Sequence, residues 1–173
     1  MGLVERLDFS YPPPGRVRRS FGRFAGTRVG AALLARALPP LDRVLDSLTS
    51  GGSSAAEAFA GLPVLSLTTT GIRSGRSHDC YLLGIPVQGD IGVIGTNFGQ
   101  VDHPAWAHNL AANPRAWIRF RELKLEVRAR RVHGEEQEAV WRAGAAVYPG
   151  YAMYRARLQR RPMVFVLEAA ADR

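Results

Sequence analysis

The feature that most constrains the fold is a glycine-rich basic turn between two largely apolar segments. Residues 63–67 are mostly apolar, residues 68–78 read Thr-Thr-Thr-Gly-Ile-Arg-Ser-Gly-Arg-Ser-His, and residues 80–85 are mostly apolar again. Short apolar runs on both sides of a glycine-containing turn are typical of paired β-strands. The sequence therefore predicts a strand, a tight basic turn and a second strand.

This turn has two interpretations that the residues alone leave open. Gly71 and Gly75 let the backbone approach a ligand, its amides can form an anion nest, and Arg73 and Arg76 can bind phosphate. The other interpretation is a plain hairpin turn with solvated arginines. No lysine follows Gly75 as in a P-loop, and the serine is misplaced for a hydrolase nucleophile elbow.

The rest of the chain predicts an α+β fold in which β-structure dominates. Apolar runs and alternation favour about six antiparallel strands with helices between and after them, forming a small barrel or roll. The predicted strands cover 64–70, 78–87, 91–96, 117–121, 124–132 and 163–167. A helix is expected to start at Asp102-His103-Pro104 and run to about Ala112, and another to start near Glu135.

The first 60 residues are interpreted as a basic helical extension, followed by a barrel domain over 61–173. Residues 1–38 hold seven arginines and two acids, which is +5 of the chain's net +8. A helix is expected over 16–38, a short amphipathic one over 41–48, and a capping box at 54–57. The extension either rests on a membrane surface or packs as a cap on its own domain, and the second is commoner for amphipathic helices.

Composition excludes several classes of protein. Cys80 is the only cysteine, so an internal disulfide framework is excluded, and no stretch approaches the roughly 20 apolar residues of a membrane span. Zinc-finger, ribonucleoprotein and helix-turn-helix patterns are lacking, so nucleic acid is not an expected partner. His103 and His108 are five residues apart and no Cys or carboxylate cluster accompanies them, so no metal site is expected. We expect a cytoplasmic location, and if the extension binds lipid, a peripheral position at the inner face of the cell membrane.

Three further groups of residues could carry chemistry. Tyr148, Tyr151 and Tyr154 recur at helical spacing, which fits a pocket for a planar ligand but is also common in cores. Asn97 follows a strand shortly before a helix start, where backbone amides suit an anion or a polar ring edge. Cys80 lies in an apolar strand and is expected to be an inert small hydrophobe.

In combination, three motifs resemble one family, the deazaflavin-dependent nitroreductases that use coenzyme F420. The motifs are TTTGxRSGR at 68–76, HPAWxxNLxxNP at 103–114 and YPGYxxY at 148–154, and the match covers about 61–170. The resemblance implies a split β-barrel and hydride transfer from reduced F420 to a small-molecule acceptor such as a quinone, an activated alkene or a nitroaromatic. The alternatives are an FMN-binding split-barrel oxidoreductase and a non-catalytic protein that binds F420 or lipid. Monomer and homodimer both remain open.

The resemblance also implies residue roles. Tyr151, Tyr154 and Tyr148 would be the catalytic set, shaping the acceptor pocket, orienting the acceptor or supplying a proton. The turn would contact the cofactor's phosphate and acidic tail. The strand after it would run beside the cofactor's side chain and ring. The segment from Ile94 would offer backbone groups to the polar edge of the ring. The implied cofactor-binding residues are Ile72, Arg73, Ser74, His78, Asp79, Cys80, Tyr81, Leu82, Leu83, Ile94, Gly95, Thr96, Asn97, Ala105, Trp106, Ala107, His108, Asn109 and Tyr151.

The chain departs from the family at five of these positions. Members commonly have Arg-Lys where this chain has Ile72-Arg73, Arg at His78, Lys at Asn97 and Tyr at Ala107. Fewer fixed positive charges should weaken binding of the tail. His78 carries charge only when protonated, so binding is expected to tighten at lower pH.

Overall fold

The structure is a computed structural model that describes residues 2–9, Thr27, Leu33, Leu62 and 64–170. The helices predicted over 16–38 and 41–48 and the capping box at 54–57 lie outside the described residues, apart from the single positions 27 and 33. The boundary near residue 60 therefore stays a prediction.

Seven strands and four helices make up the described part of the chain. The strands are β1 Val64–Thr70, β2 Ser77–Leu83, β3 Ile85–Val87, β4 Asp90–Ile94, β5 Arg115–Phe120, β6 Leu123–Arg131 and β7 Val164–Ala169. The helices are α1 Leu3–Arg6, α2 Ala105–Ala112, α3 Gly134–Val147 and α4 Gly150–Arg157. The predicted first strand is confirmed over its full length, whereas the predicted strand 78–87 is divided in two at Gly84.

One antiparallel sheet with the order β2-β1-β5-β6-β7-β4-β3 contains every strand. Its two outermost strands, β2 and β3, are joined by Gly84 alone, so the sheet curls back on itself. The segment 77–87 thus pairs with β1 in its first part and with β4 in its last part. A Cβ on Gly84 would lie 2.7 Å from the ring of Phe9 and 2.8 Å from Leu65, which explains why glycine stands at this bend. The predicted α+β split barrel is confirmed, with seven strands where about six were expected.

Alternation along the strands produces two apolar cores, one on each face of the sheet. Leu65, Leu67 and Phe165 belong to the first core, which α1 and α2 also enter. Val64, Val164 and Val166 belong to the second core, which is covered by α3 and by the tyrosines near α4. Both faces of the sheet therefore contribute to a core, but one face stays exposed over β5 and β6, where Arg115, Trp117 and Arg128 lie at the surface.

Residues 2–9 pack into the first core. Leu3, Leu7 and Phe9 are buried there, and the amide of Val4 donates to the carbonyl of Gly89 at 3.0 Å. The ring of Phe9 lies 4.5 Å from that of Phe120, centroid to centroid. The very start of the chain thus contributes to the packing of the barrel.

Candidate functional site

The basic turn between β1 and β2 is closed by its own hydrogen bonds. The amide of Gly71 donates to the carbonyl of Arg76 at 2.8 Å, and the amide of Gly75 donates to the carbonyl of Gly71 at 2.8 Å. Gly75 has a φ of +64°, a conformation that favours glycine. The hydroxyl of Ser74 accepts from the amide of Arg76 at 3.2 Å and lies 3.0 Å from Nε2 of His78.

The groups of this turn that face solvent are mainly arginine side chains, because most of its backbone amides are hydrogen-bonded within the protein. Arg73 and Arg76 are both exposed, and so is Ile72, with 57% of its surface accessible. Four of the six amides from Gly71 to Arg76 donate within the protein. An anion at this turn would thus be met mainly by guanidinium groups, and the expected nest of successive amides is largely used internally.

Asn109 on α2 braces the turn from beneath. Its Nδ2 donates to the hydroxyl of Thr69 at 3.0 Å, and its Oδ1 accepts from the amide of Ile72 at 3.2 Å. Asn109 is 7% exposed and Thr69 only 2%, so both hydrogen bonds satisfy buried polar groups. The predicted cofactor-binding residue Asn109 therefore ties the end of β1 and the turn to helix α2.

The side chains of the strand after the turn become less exposed along its length. His78 and Asp79 are exposed, whereas Cys80, Tyr81, Leu82 and Leu83 are half-buried. Burial, followed by the nearby charge of Asp79, raises the pKa of Cys80 to about 12, and its thiol points at the carbonyl of Leu67. The thiol is therefore protonated at neutral pH, as expected for an unreactive cysteine.

The loop from Gly95 to His103 joins β4 to α2 and has an irregular backbone. The predicted strand 91–96 ends at Ile94, after which Asn97, Phe98 and Gly99 have φ values of 49°, 55° and 79°. The amide of Gly95 donates to the carbonyl of Met163, and the amide of Thr96 donates to that of Ile94, both at 2.8 Å.

Arg160 binds this loop by its carbonyls, and no local sequence pattern predicted it. Its guanidinium donates to the carbonyls of four residues at distances from 2.8 to 3.2 Å; they are Gly95, Thr96, Val101 and Asp102. Gly95 and Thr96 therefore have both their amide and their carbonyl bonded within the protein. The backbone groups that were expected to face a ring edge are already paired in this structure.

Helix α2 begins at Ala105 after Pro104, close to the predicted start. Ala105 and His108 are exposed, but Trp106 and Ala107 are buried. The ring of Trp106 lies 6.2 Å from that of Phe165 in the first core. Of the five residues expected near the tail phosphate, only Ala105 and His108 are at the surface.

The three tyrosines form a compact buried cluster. The hydroxyls of Tyr148 and Tyr154 are 3.3 Å apart, and each pair of rings among Tyr148, Tyr151 and Tyr154 has a centroid distance between 5.6 and 6.4 Å. All three are at most 5% exposed. Burial raises the pKa of each phenol above its usual value, so all three are protonated at neutral pH.

Phe98 connects the loop to this tyrosine cluster. Its ring lies 6.4 Å from that of Tyr154 in an edge-to-face arrangement, and the guanidinium of Arg157 lies 5.4 Å from the same tyrosine ring. The structure therefore joins the loop to α4 through Phe98 and to the basic turn through α2 and Asn109. These contacts link the basic turn, α2, the loop and α4 into one candidate site.

Neither a metal site nor a membrane-spanning helix occurs among the described residues. Within 2–9 and 64–170, no three His, Cys, Asp or Glu side chains are arranged to hold a metal ion. His103 and His108 lie close together, with ring centroids 5.6 Å apart. None of the described helices is long and apolar enough to cross a membrane.

The fold is that of a split-barrel protein, and comparison with known families gives its function. A family model described as F420H(2)-dependent quinone reductase matches residues 44–169. The chain belongs to that family and is an F420-dependent reductase. The expected deazaflavin-dependent oxidoreductase is thus confirmed, whereas the acceptor and the nitroreductase activity remain predictions.

Solved structures agree with this assignment. An F420-H2 dependent reductase (FDR-A) is 32% identical with a TM-score of 0.57, over 61% of this chain and 94% of that one. A structure described as a domain-swapped dimer is 28% identical with a TM-score of 0.59, over 75% of this chain and 99% of that one. HutZ, a heme storage protein from Vibrio cholerae, is 16% identical with a TM-score of 0.52, over 76% of this chain and 92% of that one, and shows the fold alone.

Proposed function

We propose that this chain binds reduced F420 at the site formed by the basic turn, the loop from Gly95 to His103 and α4, and uses it to reduce a quinone or a similar organic acceptor. The observation that carries the proposal is the exposed arginine turn braced by buried Asn109 onto the helix that follows the loop. This arrangement joins an anion-binding element to a loop beside a cluster of phenols. Such a combination suits a cofactor with a charged tail and a planar ring.

The chemistry of the described residues fits that cofactor. Arg73 and Arg76 supply two exposed guanidinium groups for a phosphate and an acidic tail. A Cβ on Gly71 would lie 2.6 Å from both Ser74 Oγ and His78 Nε2, so glycine lets these two side chains pack against the turn. Half-buried side chains on β2 offer apolar surface beside it.

We propose that the deazaflavin ring of the cofactor lies beside the loop and the tyrosines. Reduced F420, when bound, supplies a hydride to the organic acceptor. The protein's tasks are to place the two molecules and to exclude water. The loop and α4 would orient the acceptor near Tyr154 and Tyr151. Because burial keeps these phenols protonated, they retain a proton to donate, which suits a quinone oxygen that gains charge.

Titration with F420 and, separately, with FMN tests the cofactor assignment. We expect saturable binding of F420 and none of FMN over the same micromolar range. Arg73→Ala should weaken F420 binding about tenfold, because a charge-assisted bond contributes about 1.5–3 kcal/mol. Arg142→Ala, which removes an exposed arginine from α3, is the matched control and should bind as the wild type does. Equal affinities for the two variants would contradict the role of the turn.

We also propose where the protein acts and how it assembles. The extension would bring a cytoplasmic enzyme to an anionic membrane where lipid-soluble quinones reside, and the protein would be a monomer or a homodimer. Because Leu3, Leu7 and Phe9 pack in the barrel, removing residues 1–60 would disturb the fold as well as the charge. Vesicle sedimentation should instead compare the full chain with Arg18→Glu/Arg19→Glu, and light scattering gives the oligomeric state. Equal, negligible vesicle binding would contradict the membrane proposal.

A further inference from the structure

The loop between β4 and α2 has an irregular backbone with few hydrogen bonds of its own. The amides of Gly99 and Gln100 donate to the carbonyls of Thr96 and Asn97 at 2.9 Å, and Nδ2 of Asn97 donates to the carbonyl of Asp102 at 3.1 Å. Asn97, Phe98 and Gly99 have consecutive positive φ values, a conformation that glycine and asparagine tolerate but that a bulky residue such as Phe98 disfavours. Such backbone persists only where surrounding structure fixes it. The residues around this loop therefore decide whether it is ordered before a cofactor arrives.

Arg160 donates five hydrogen bonds to the backbone of this loop. Its Nε donates to Val101 at 2.8 Å, and both terminal nitrogens donate to the carbonyl of Gly95 at 3.1 Å. Its Nη2 also reaches the carbonyls of Thr96 at 3.2 Å and Asp102 at 2.9 Å. One guanidinium thus gathers carbonyls from both ends of the loop around a single positive charge.

His103 completes the arrangement. Its Nδ1 lies 3.0 Å from Nη1 of Arg160, and because a guanidinium can only donate, Nδ1 must accept and the imidazole must be neutral. Burial, and then the charge of Arg160, lowers the pKa of His103, in agreement with that state. The contact fixes the last residue of the loop before Pro104 and α2.

Arg160 lies three residues beyond the end of α4, so it connects three parts of the candidate site. Its partners are 57 to 65 residues away in the chain, on the loop that begins at Gly95. The same loop contacts Tyr154 through Phe98. Arg160 therefore joins the end of the tyrosine helix to the loop that leads into α2.

We propose that Arg160 is a positioning residue, which holds the loop 95–103 in its cofactor-binding shape without touching the cofactor itself. This inference rests on the proposed function. A loop that is ordered in advance costs less free energy to bind a ligand. The planar fork of arginine reaches carbonyls in several directions at once, whereas the ammonium group of lysine is a single point with three donors.

The test compares Arg160→Ala, Arg160→Lys and the wild type, with Arg161→Ala as the matched control. Arg161 is the neighbouring residue, is exposed, and its replacement removes the same charge. We expect Arg160→Ala to raise the Kd for F420 at least tenfold and Arg160→Lys to give an intermediate value. The turnover rate at saturating F420 should fall much less than the affinity does. Arg161→Ala should match the wild type.

Amide hydrogen exchange of the ligand-free protein gives a second readout. Arg160→Ala should speed exchange at Gly99, Gln100 and Ala107, whose amides are bonded within or just after the loop, and leave β5 and β6 unchanged. A Kd for Arg160→Ala within twofold of the wild type, or unchanged exchange in the loop, would overturn the proposal. If Arg160→Ala does not fold, wild-type affinity and exchange in Arg160→Lys would overturn it equally.

These outcomes separate the two proposals. If the wild type does not bind F420, the proposed function fails, and the role of Arg160 toward the cofactor fails with it. If the wild type binds F420 and Arg160→Ala binds it equally well, only the role of Arg160 fails.

Discussion

Asn109 offers the most informative single perturbation, because its two hydrogen bonds serve two different elements. Its Nδ2 bonds the buried hydroxyl of Thr69 in β1, and its Oδ1 bonds the amide of Ile72 in the turn. Asn109→Ala removes both. Thr69→Val, which preserves shape, removes only the first. The difference between the two variants therefore isolates the bond that holds the turn.

The magnitudes follow from the burial of the groups. Losing the bond to Thr69 leaves a buried hydroxyl unpaired and costs about 1–2 kcal/mol, whereas the bond to the amide of exposed Ile72 contributes about 0.5–1.5 kcal/mol, so Asn109→Ala should lower the free energy of unfolding by about 1.5–3.5 kcal/mol. Thr69→Val should lower it by about 1–2 kcal/mol for the same reason. Losing the bond to Ile72 should also raise the Kd for F420 about five- to tenfold, since a factor of ten corresponds to about 1.4 kcal/mol. Thr69→Val should leave that Kd within about twofold, because it keeps the bond to Ile72.

Urea unfolding and F420 titration of both variants provide the measurements. The reasoning requires that stability falls in both variants, while affinity falls only in Asn109→Ala. An equal change in Kd for the two variants would refute it, because the turn would then depend on the general integrity of the core. An unchanged unfolding free energy in Asn109→Ala would refute the claim that the hydrogen bonds of Asn109 stabilise the fold.

Three further predictions concern other parts of the molecule. Tyr151→Phe should slow turnover more than it weakens F420 binding, because the change removes a protonated phenol but keeps the ring; the opposite pattern in steady-state and binding data would contradict its role. Leu7→Ala should lower the free energy of unfolding by about 2–5 kcal/mol in urea, since the side chain is fully buried, and a change near zero would show that the N-terminal segment does not pack there. Because burial and Arg160 lower the pKa of His103 in the folded protein, the unfolded chain takes up the extra proton first. Stability should therefore fall as the pH drops from about 7.5 through the unfolded-state value near 6.5. His103→Gln should lose less stability than the wild type between pH 8 and pH 5.5, and parallel losses would exclude this group.

Local patterns predicted the strands and the turn well. The strand 64–70 and the basic turn after it follow from an apolar run and from glycines, which act over a few residues. The division of segment 77–87 was not foreseen, because the bend at Gly84 is imposed by Phe9 and Leu65, which approach it from distant parts of the chain. Closure of the sheet is a tertiary event that strand propensity does not report.

The candidate site was predicted unevenly for the same reason. The family resemblance pointed to Asn109 as a cofactor residue, but its role as a buried brace depends on Thr69 and Ile72, about 40 residues earlier. Arg160 carried no signal, since it is one of many arginines and its partners are backbone carbonyls that any residue possesses. The spacing of Leu3 and Leu7 was a usable sign of an apolar helix face, although it could not say which surface that face would cover.

Single-turnover oxidation of reduced F420 tests the central claim most directly. The protein is loaded anaerobically with reduced F420 and mixed with a water-soluble benzoquinone, and the formation of oxidised F420 and of hydroquinone is followed together. We predict that both products form in equal amounts, far faster than in the protein-free mixture, and more slowly with Tyr151→Phe. Tight binding of reduced F420 with no oxidation above the protein-free rate, across quinones, activated alkenes and nitroaromatics, would contradict the account.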